Sequence, residues 1–219
     1  MELMPSDTSL VLAGAWNAAI LTPTWVQKFG FDAPVDQRVQ VFVPAGLGPV
    51  FEFPRYVIGS LSYTIRPDAL VVAPQDDSED SLQLAEDVVA RMLRALPHTP
   101  LSGIGHNFAF RDPAPQPGIL RTFTDANRDL SAVVPQGWHS TSASIALTLK
   151  HDERNVLINI TRIFDAGIII MRFNFHHPIS SYDEAMNILS GEGDYARIVQ
   201  NLALATHLAE ANGVGNNEN

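Results

Sequence analysis

Cysteine is absent from this 219-residue chain. Its absence excludes a disulfide framework, thiolate-bound zinc and cysteine-ligated iron–sulfur clusters, and it suits a reducing compartment, so a cytoplasmic location is expected. Basic residues are scarce: 14 lysines and arginines stand against 24 carboxylates, for a net charge of −10. Such a balance repels phosphate backbones and anionic headgroups, so neither nucleic acid nor a membrane is an expected partner. No apolar run approaches the roughly 18 residues of a membrane span. The opening Met1-Glu2-Leu3-Met4-Pro5 lacks the basic segment and apolar stretch of a signal peptide, and none is expected.

Signatures of bound groups are missing too. Gly46-Leu47-Gly48 is followed by neither Lys-Ser/Thr nor a helix start, so it is no phosphate loop. Gly103-Ile104-Gly105 lacks the third glycine and the helix of a dinucleotide fingerprint. The acidic segments Asp76-Asp77-Ser78-Glu79-Asp80 and His151-Asp152-Glu153-Arg154 lack the glycine and terminal glutamate of a calcium loop, and are expected to be a helix start and a hairpin loop. There is no Gly-x-Ser-x-Gly elbow and no His-Glu-x-x-His pair. No cofactor and no tightly bound metal are therefore expected; His106, His139, His176 and His177 are the side chains a metal would have to recruit.

What the chain does have is a meander over 142–177. Ile145, Leu147 and Leu149 alternate with Ser144, Ala146, Thr148 and Lys150, the two-residue period of a half-buried strand. A polar loop reverses the chain into Val156, Ile158 and Ile160, and a second reversal leads into Ile169, Met171, Phe173 and Phe175. Taking Asp165-Ala166 as a two-residue hairpin loop pairs Ile160 with Met171, Ile158 with Phe173 and Val156 with Phe175. A slip of one residue would set these side chains against Asn159, Arg172 and Asn174, so burial specifies the face.

Further strands are expected near 8–14, 39–43, 50–58, 61–66, 69–74 and 104–110. Helices are expected from Thr22-Pro23 to Gly30, over 81–96, around 125–133, after the Ser181-Tyr182-Asp183-Glu184 capping box, and over 194–211. Strands segregated from helices imply an α+β fold of antiparallel meanders packed against amphipathic helices. The expected organisation is an N-terminal sheet-plus-helix half (1–111), a proline-rich connection with a short helix (112–137), a C-terminal meander plus helices (138–212) and a disordered tail (213–219). The stretches 63–72 and 160–169 both read strand, Asp-Ala reversal, strand, each ahead of a capped helix. Two pseudo-repeated halves would explain this, and so would coincidence, because aspartate is common in turns.

The sharpest polar constellation is Arg172, Asn174 and His176, which share one face of a strand. An arginine anchor, an orienting amide and an imidazole would suit an anionic or carbonyl-bearing ligand. The plain alternative is a solvated sheet face and a strand-end histidine. By parity His177 points the other way, and His106 and Asn107 likewise divide between faces. With catalytic signatures missing, the expected function is a non-catalytic protein-binding or assembly protein within a multi-protein complex; a hydrolase or lyase using the 168–176 strand is the alternative. A protein partner is expected, and a homodimer that buries Trp25, Trp138 and Phe51.

Overall fold

Ten strands form one antiparallel sheet in the computed structural model, which describes residues 1–31, 38–43, 53–126, 133, 135–137 and 140–213. The strands are β1 (Glu2–Leu3), β2 (Ser9–Gly14), β3 (Val39–Phe42), β4 (Arg55–Ile58), β5 (Leu61–Ile65), β6 (Ala69–Pro74), β7 (Leu101–Asp112), β8 (Ser142–Lys150), β9 (Leu157–Asp165) and β10 (Ile168–Pro178). Their order is β3-β4-β5-β6-β2-β7-β10-β9-β8, with β1 also paired to β7. The helices are α1 (Pro23–Val26), α2 (Glu79–Ala95), α3 (Pro117–Ala126), α4 (Tyr182–Ser190) and α5 (Ile198–Gly213). This is the α+β architecture expected of the sequence, an antiparallel sheet packed against several helices.

Local chemistry accounts for the element ends. Ser78 caps α2 by accepting from the Ser81 amide at 3.2 Å, with Glu79 and Asp80 in the first turn and Arg94 in the last. Ser181 caps α4 by accepting from the Glu184 amide at 3.1 Å, and the Glu184 carboxylate reaches back to the Ser180 amide at 2.9 Å. Gly191 ends α4 with a left-handed φ of 69°. Thr22 and Pro23 open α1, which runs into a π-helical turn, Gln27–Phe31, rather than continuing to Gly30 as one helix.

One expectation needs correction. The last hairpin turns at Ala166-Gly167, not Asp165-Ala166: both residues have positive φ, 47° and 88°, as a mirror-image turn matched to strand twist requires, and Gly167 supplies the second position without strain. The register moves by two, so Phe173 faces Ile160 and Phe175 faces Ile158, while Met171 faces Arg162. An even shift leaves every side chain on its expected face. A helix not among those expected from the sequence lies at Pro117–Ala126, with Pro117 in its first turn where a missing amide is tolerated, whereas most of the expected 125–133 helix, like Phe51, Trp138, His139 and residues 214–219 of the tail, lies outside the described residues.

The element order repeats. A strand, a helix, a meander and a helix follow one another as β2, α1, β3 to β6 and α2, then again as β7, α3, β8 to β10 and α4. In each unit the opening strand pairs with the last strand of the meander, β2 with β6 and β7 with β10, and the units meet where β2 pairs with β7.

One face of the sheet supplies Leu10, Leu12, Ile104, Phe108, Phe110, Met171, Phe173 and Phe175 to a single core shared with Leu82, Val89 and Leu93 of α2, Ile188 of α4 and Ala205 of α5. Phe173 stands edge-on to Phe110, and Phe175 edge-on to Phe108. Phe173 is 1% exposed. Truncating it to alanine should cost about 3–5 kcal/mol in chemical denaturation, and a loss below about 1 kcal/mol would contradict this packing.

Candidate functional site

The row that the sequence singles out lies on the opposite, partly open face. Arg172 is exposed there, and Asn174 and His176 are half-buried. Antiparallel pairing sets Asn174 between Asn107 of β7 and Asn159 of β9, with Ser9 and Thr148 continuing the line on β2 and β8. These five side chains form one hydrogen-bonded ladder across five strands. Thr148 donates to Asn159 Oδ1 at 2.8 Å, Asn159 Nδ2 to Asn174 Oδ1 at 3.1 Å, Asn174 Nδ2 to Asn107 Oδ1 at 2.7 Å, and Asn107 Nδ2 to Ser9 Oγ at 3.4 Å.

Two strand glycines make room for this. A Cβ on Gly105 would come within 3.0 Å of Asn174 Nδ2, and one on Gly103 within 2.7 Å of His176 Cε1. Gly103-Ile104-Gly105 thus serves close side-chain approach on a sheet face. Arg172 and Asn174 line a shallow hollow of about 350 Å³ with Asp7 and Thr161, but His176 does not. The structure therefore aligns the three residues on one face without gathering them at one concavity.

Asn174→Ala would leave amide groups of Asn107 and Asn159 unpaired and should cost about 1–3 kcal/mol, whereas Arg172→Ala on the exposed surface should stay within about 0.5 kcal/mol. Equal effects in urea melts would contradict the ladder's structural role.

On the helix side lies a denser cluster. His106 and His177, opposite Phe175 and Ile104 in the ladder between β7 and β10, bring their rings to 5.6 Å between centroids. Both are buried, as is Glu86 of α2. Glu86 Oε1 accepts from the Ile198 amide at 2.8 Å and Oε2 from Arg197 Nε at 2.7 Å, while Arg197 also reaches Asp87 at 3.0 Å. His106 Nδ1 meets Asn201 Nδ2 at 2.8 Å, so the lone pair faces the amide and the ring proton belongs on Nε2. That nitrogen lies 3.6 Å from Glu86 Oε1, too long for a hydrogen bond. Among the described residues neither ring nitrogen of His177 has a hydrogen-bond partner, and His106 Nε2 lacks one as well.

His177 also lines a cavity of about 340 Å³, enclosed by the inner side of β8 to β10, the hairpin loop after β8 and the start of α5. Phe175, Ile158 and Leu204 give it apolar walls; Asn201, Tyr195 and Arg154 are among its polar lining. The Tyr195 ring stands edge-on to His177 at 6.0 Å and its hydroxyl donates to Glu184 at 3.3 Å. Among the described residues no group of three or more histidine and carboxylate side chains is placed to hold a metal ion.

A third feature is the sheet's end. β8 pairs only with β9, so the backbone groups on its far side have no ladder partner among the described strands. Leu147 and Leu149 on it are 53% and 40% exposed. Trp25, by contrast, is half-buried against the core beside Phe29.

The histidine cluster escaped the pattern of polar rows, yet each member carried a signal. Glu86 interrupts the apolar stripe of α2 between Ala85 and Val89, Asn201 sits one turn on from Ile198, and His177 continues the buried row of Phe173 and Phe175. A polar residue at a core position needs a partner or a purpose. No family model matches the chain, and neither a curated protein nor a solved structure matches it.

Burial holds His106 at about 3 and His177 at about 4, below the ordinary 6.5, with the charge of a neighbouring histidine acting the same way on each. Burial pushes Glu86 up to about 7, against the pull of the Ile198 amide and Arg197. Below pH 6.5 the unfolded chain takes up histidine protons that the folded chain refuses, so stability present above 6.5 is lost on acidification towards 4. Glu86 works oppositely: its contribution is present below its ordinary 4.5 and lost as pH rises through about 7. Two histidines outweigh one carboxylate, so the cluster favours neutral pH. His177→Asn should narrow its stability deficit against wild type as pH falls through the window from 6.5 to about 4; a constant gap in denaturation curves would refute this assignment.

Proposed function

We propose that this chain is a non-catalytic assembly protein that pairs with a second copy of itself through β8, as a component of a larger protein complex. The observation that carries the reading is the exposed edge: nine residues, Ser-Ala-Ser-Ile-Ala-Leu-Thr-Leu-Lys, without proline or an acidic side chain. Natural edge strands are usually shortened, bulged or charged to prevent pairing. This one has a single terminal lysine, in a chain of net charge −10.

The strand complements itself. Antiparallel pairing about a two-fold axis at Ala146 sets Ile145 against Leu147 of the second copy and Ala143 against Leu149, all on the helix-side face, with Ser144 against Thr148 on the other. Lys150 then falls opposite Ser142 of the second copy, in line with that copy's Asp165, which faces Ser142 across β9. Among the described residues neither Lys150 nor Asp165 forms an ion pair, so the two-fold would create two favourable contacts where most of the acidic surface would repel. At the sheet's other end β3 is only four residues long, and Arg55 covers Phe42.

The alternative, a hydrolase or lyase working through Arg172, Asn174 and His176, draws less support because the Asn174 amide is engaged on both sides and His176 stands outside the hollow. Cytoplasm is the location this reading assigns, since a cysteine-free assembly surface needs no oxidising compartment.

Sedimentation velocity tests the proposal. Wild-type protein should sediment as a dimer in the micromolar range, and Leu147→Glu, a charge placed on the inner row of the edge, should be a folded monomer. A monomeric wild type, or a Leu147→Glu variant that still dimerises, would overturn it.

A further inference from the structure

We propose that the cavity walled by the β8–β9 hairpin loop and the start of α5 is a binding site for a free α-amino acid with an apolar side chain. Its volume, about 340 Å³, lies in the range of small-ligand pockets. The lining combines an apolar wall with a mouth that carries both signs of charge.

Val156, Ile158 and Phe175 of the meander and Leu204 of α5 form the wall. Leu204 is 41% exposed, so part of this apolar surface meets water unless a ligand covers it. The polar lining on the helix side is already engaged within the chain. Tyr195 donates to Glu184, Gln200 Oε1 accepts from the Arg197 amide at 2.9 Å, and Asn201 Nδ2 meets His106. The His177 nitrogens are buried.

The mouth sets the head group. Lys150, His151 and Arg154 line it from the end of β8 and its loop, Asp194 lines it from the segment leading into α5, and all four are exposed. Among the described residues none of Lys150, Arg154 and Asp194 forms an ion pair, so two cations and one carboxylate share a rim without bridging it. His151 Nδ1 accepts from the Glu153 amide at 3.2 Å, which leaves the ring proton on Nε2 as a further donor on the cationic side. A carboxylate suits Arg154, Lys150 and His151, and an ammonium suits Asp194. A molecule with both, next to an apolar side chain, is an α-amino acid. An apolar monocarboxylate would meet a like charge at Asp194, and an apolar amine would meet two at Lys150 and Arg154. The site belongs to one chain and does not depend on pairing through β8: in a dimer Lys150 is free to turn to Asp165 of the second copy, and Arg154 and His151 remain for the carboxylate.

Isothermal titration calorimetry with L-phenylalanine, 3-phenylpropionate and 2-phenylethylamine tests each charge separately. L-Phenylalanine should bind wild type saturably at one site per chain, and each analogue, lacking one charge, should bind about tenfold or more weakly, the worth of a charge-assisted hydrogen bond. L-Alanine, which leaves the wall uncovered, should be weaker by about tenfold or more as well. Arg154→Ala should weaken L-phenylalanine and 3-phenylpropionate and spare 2-phenylethylamine, whereas Asp194→Asn should weaken L-phenylalanine and 2-phenylethylamine and spare 3-phenylpropionate. Both substitutions fall on exposed side chains, where the fold is not at risk. Absence of saturable L-phenylalanine binding to wild type, equal affinity for the three phenyl probes, or the same response of all three to either substitution would each overturn the site.

Discussion

The alternation of β10 is the constraint on which the rest of the structure depends. Along Ile168–Pro178 every odd residue from Ile169 to His177 is buried against the helices, and the even residues from Arg172 to His176 face the partly open side. Three large side chains, Met171, Phe173 and Phe175, hold this parity, since a slip of one residue would bury an arginine and expose two phenylalanines. Because β10 pairs with both β7 and β9, its parity is passed to the strands on either side. The core on one face and the amide ladder on the other are two results of one choice.

The amide ladder and the buried carboxylate serve the same end from opposite faces. Ser9, Asn107, Asn174, Asn159 and Thr148 tie the first unit to every strand of the second meander, and each donor has one acceptor in line. Such rows reward one register, because any shift leaves amides facing apolar neighbours. On the helix side, Glu86 joins α2 to the start of α5 through the Arg197 guanidinium and the Ile198 amide. Burying that carboxylate is costly, and its partners offset the cost only while the α2–α5 contact is intact. The contact therefore specifies how the helices sit more than it adds net stability.

Helix coverage is uneven, and that leaves both candidate interaction features at one end of the sheet. The central strands β6, β7 and β10 are covered by α2, α4 and α5, whereas the inner row of β8 is exposed over its second half, at Leu147 and Leu149. The cavity lies at this boundary, where apolar strand residues pass beyond the helices and His177 is the last buried polar group. The exposed β8 edge lies immediately outside it. A two-fold pairing at Ala146 would set the small Ala143 of the second copy against Leu149, so the larger of the paired side chains would be the one that lines the cavity.

By itself the sequence determined the meanders, their faces, the caps at Thr22 and Ser181, the acidic start of α2, and the α+β class. All of these follow from interactions within a few residues, namely period-two burial, free amides at helix starts and the helix dipole. It also set Asn174 in a row with Arg172 and His176 and put Asn107 on the opposite face from His106. Local chemistry could not say that the two asparagines meet, because that needs β7 beside β10, a pairing of residues 67 apart in the chain. The hairpin loop was misplaced by one residue because Asp-Ala-Gly offers two turn readings, and the sign of φ at Ala166 is set by strand twist rather than by residue type. Tertiary structure alone decided which histidine matters. His176 and His177 are chemically identical neighbours, and only the packing of α2 and α5 over one face makes His177 a neutral, unpaired ring at a cavity wall while His176 rests on a glycine in partial contact with water.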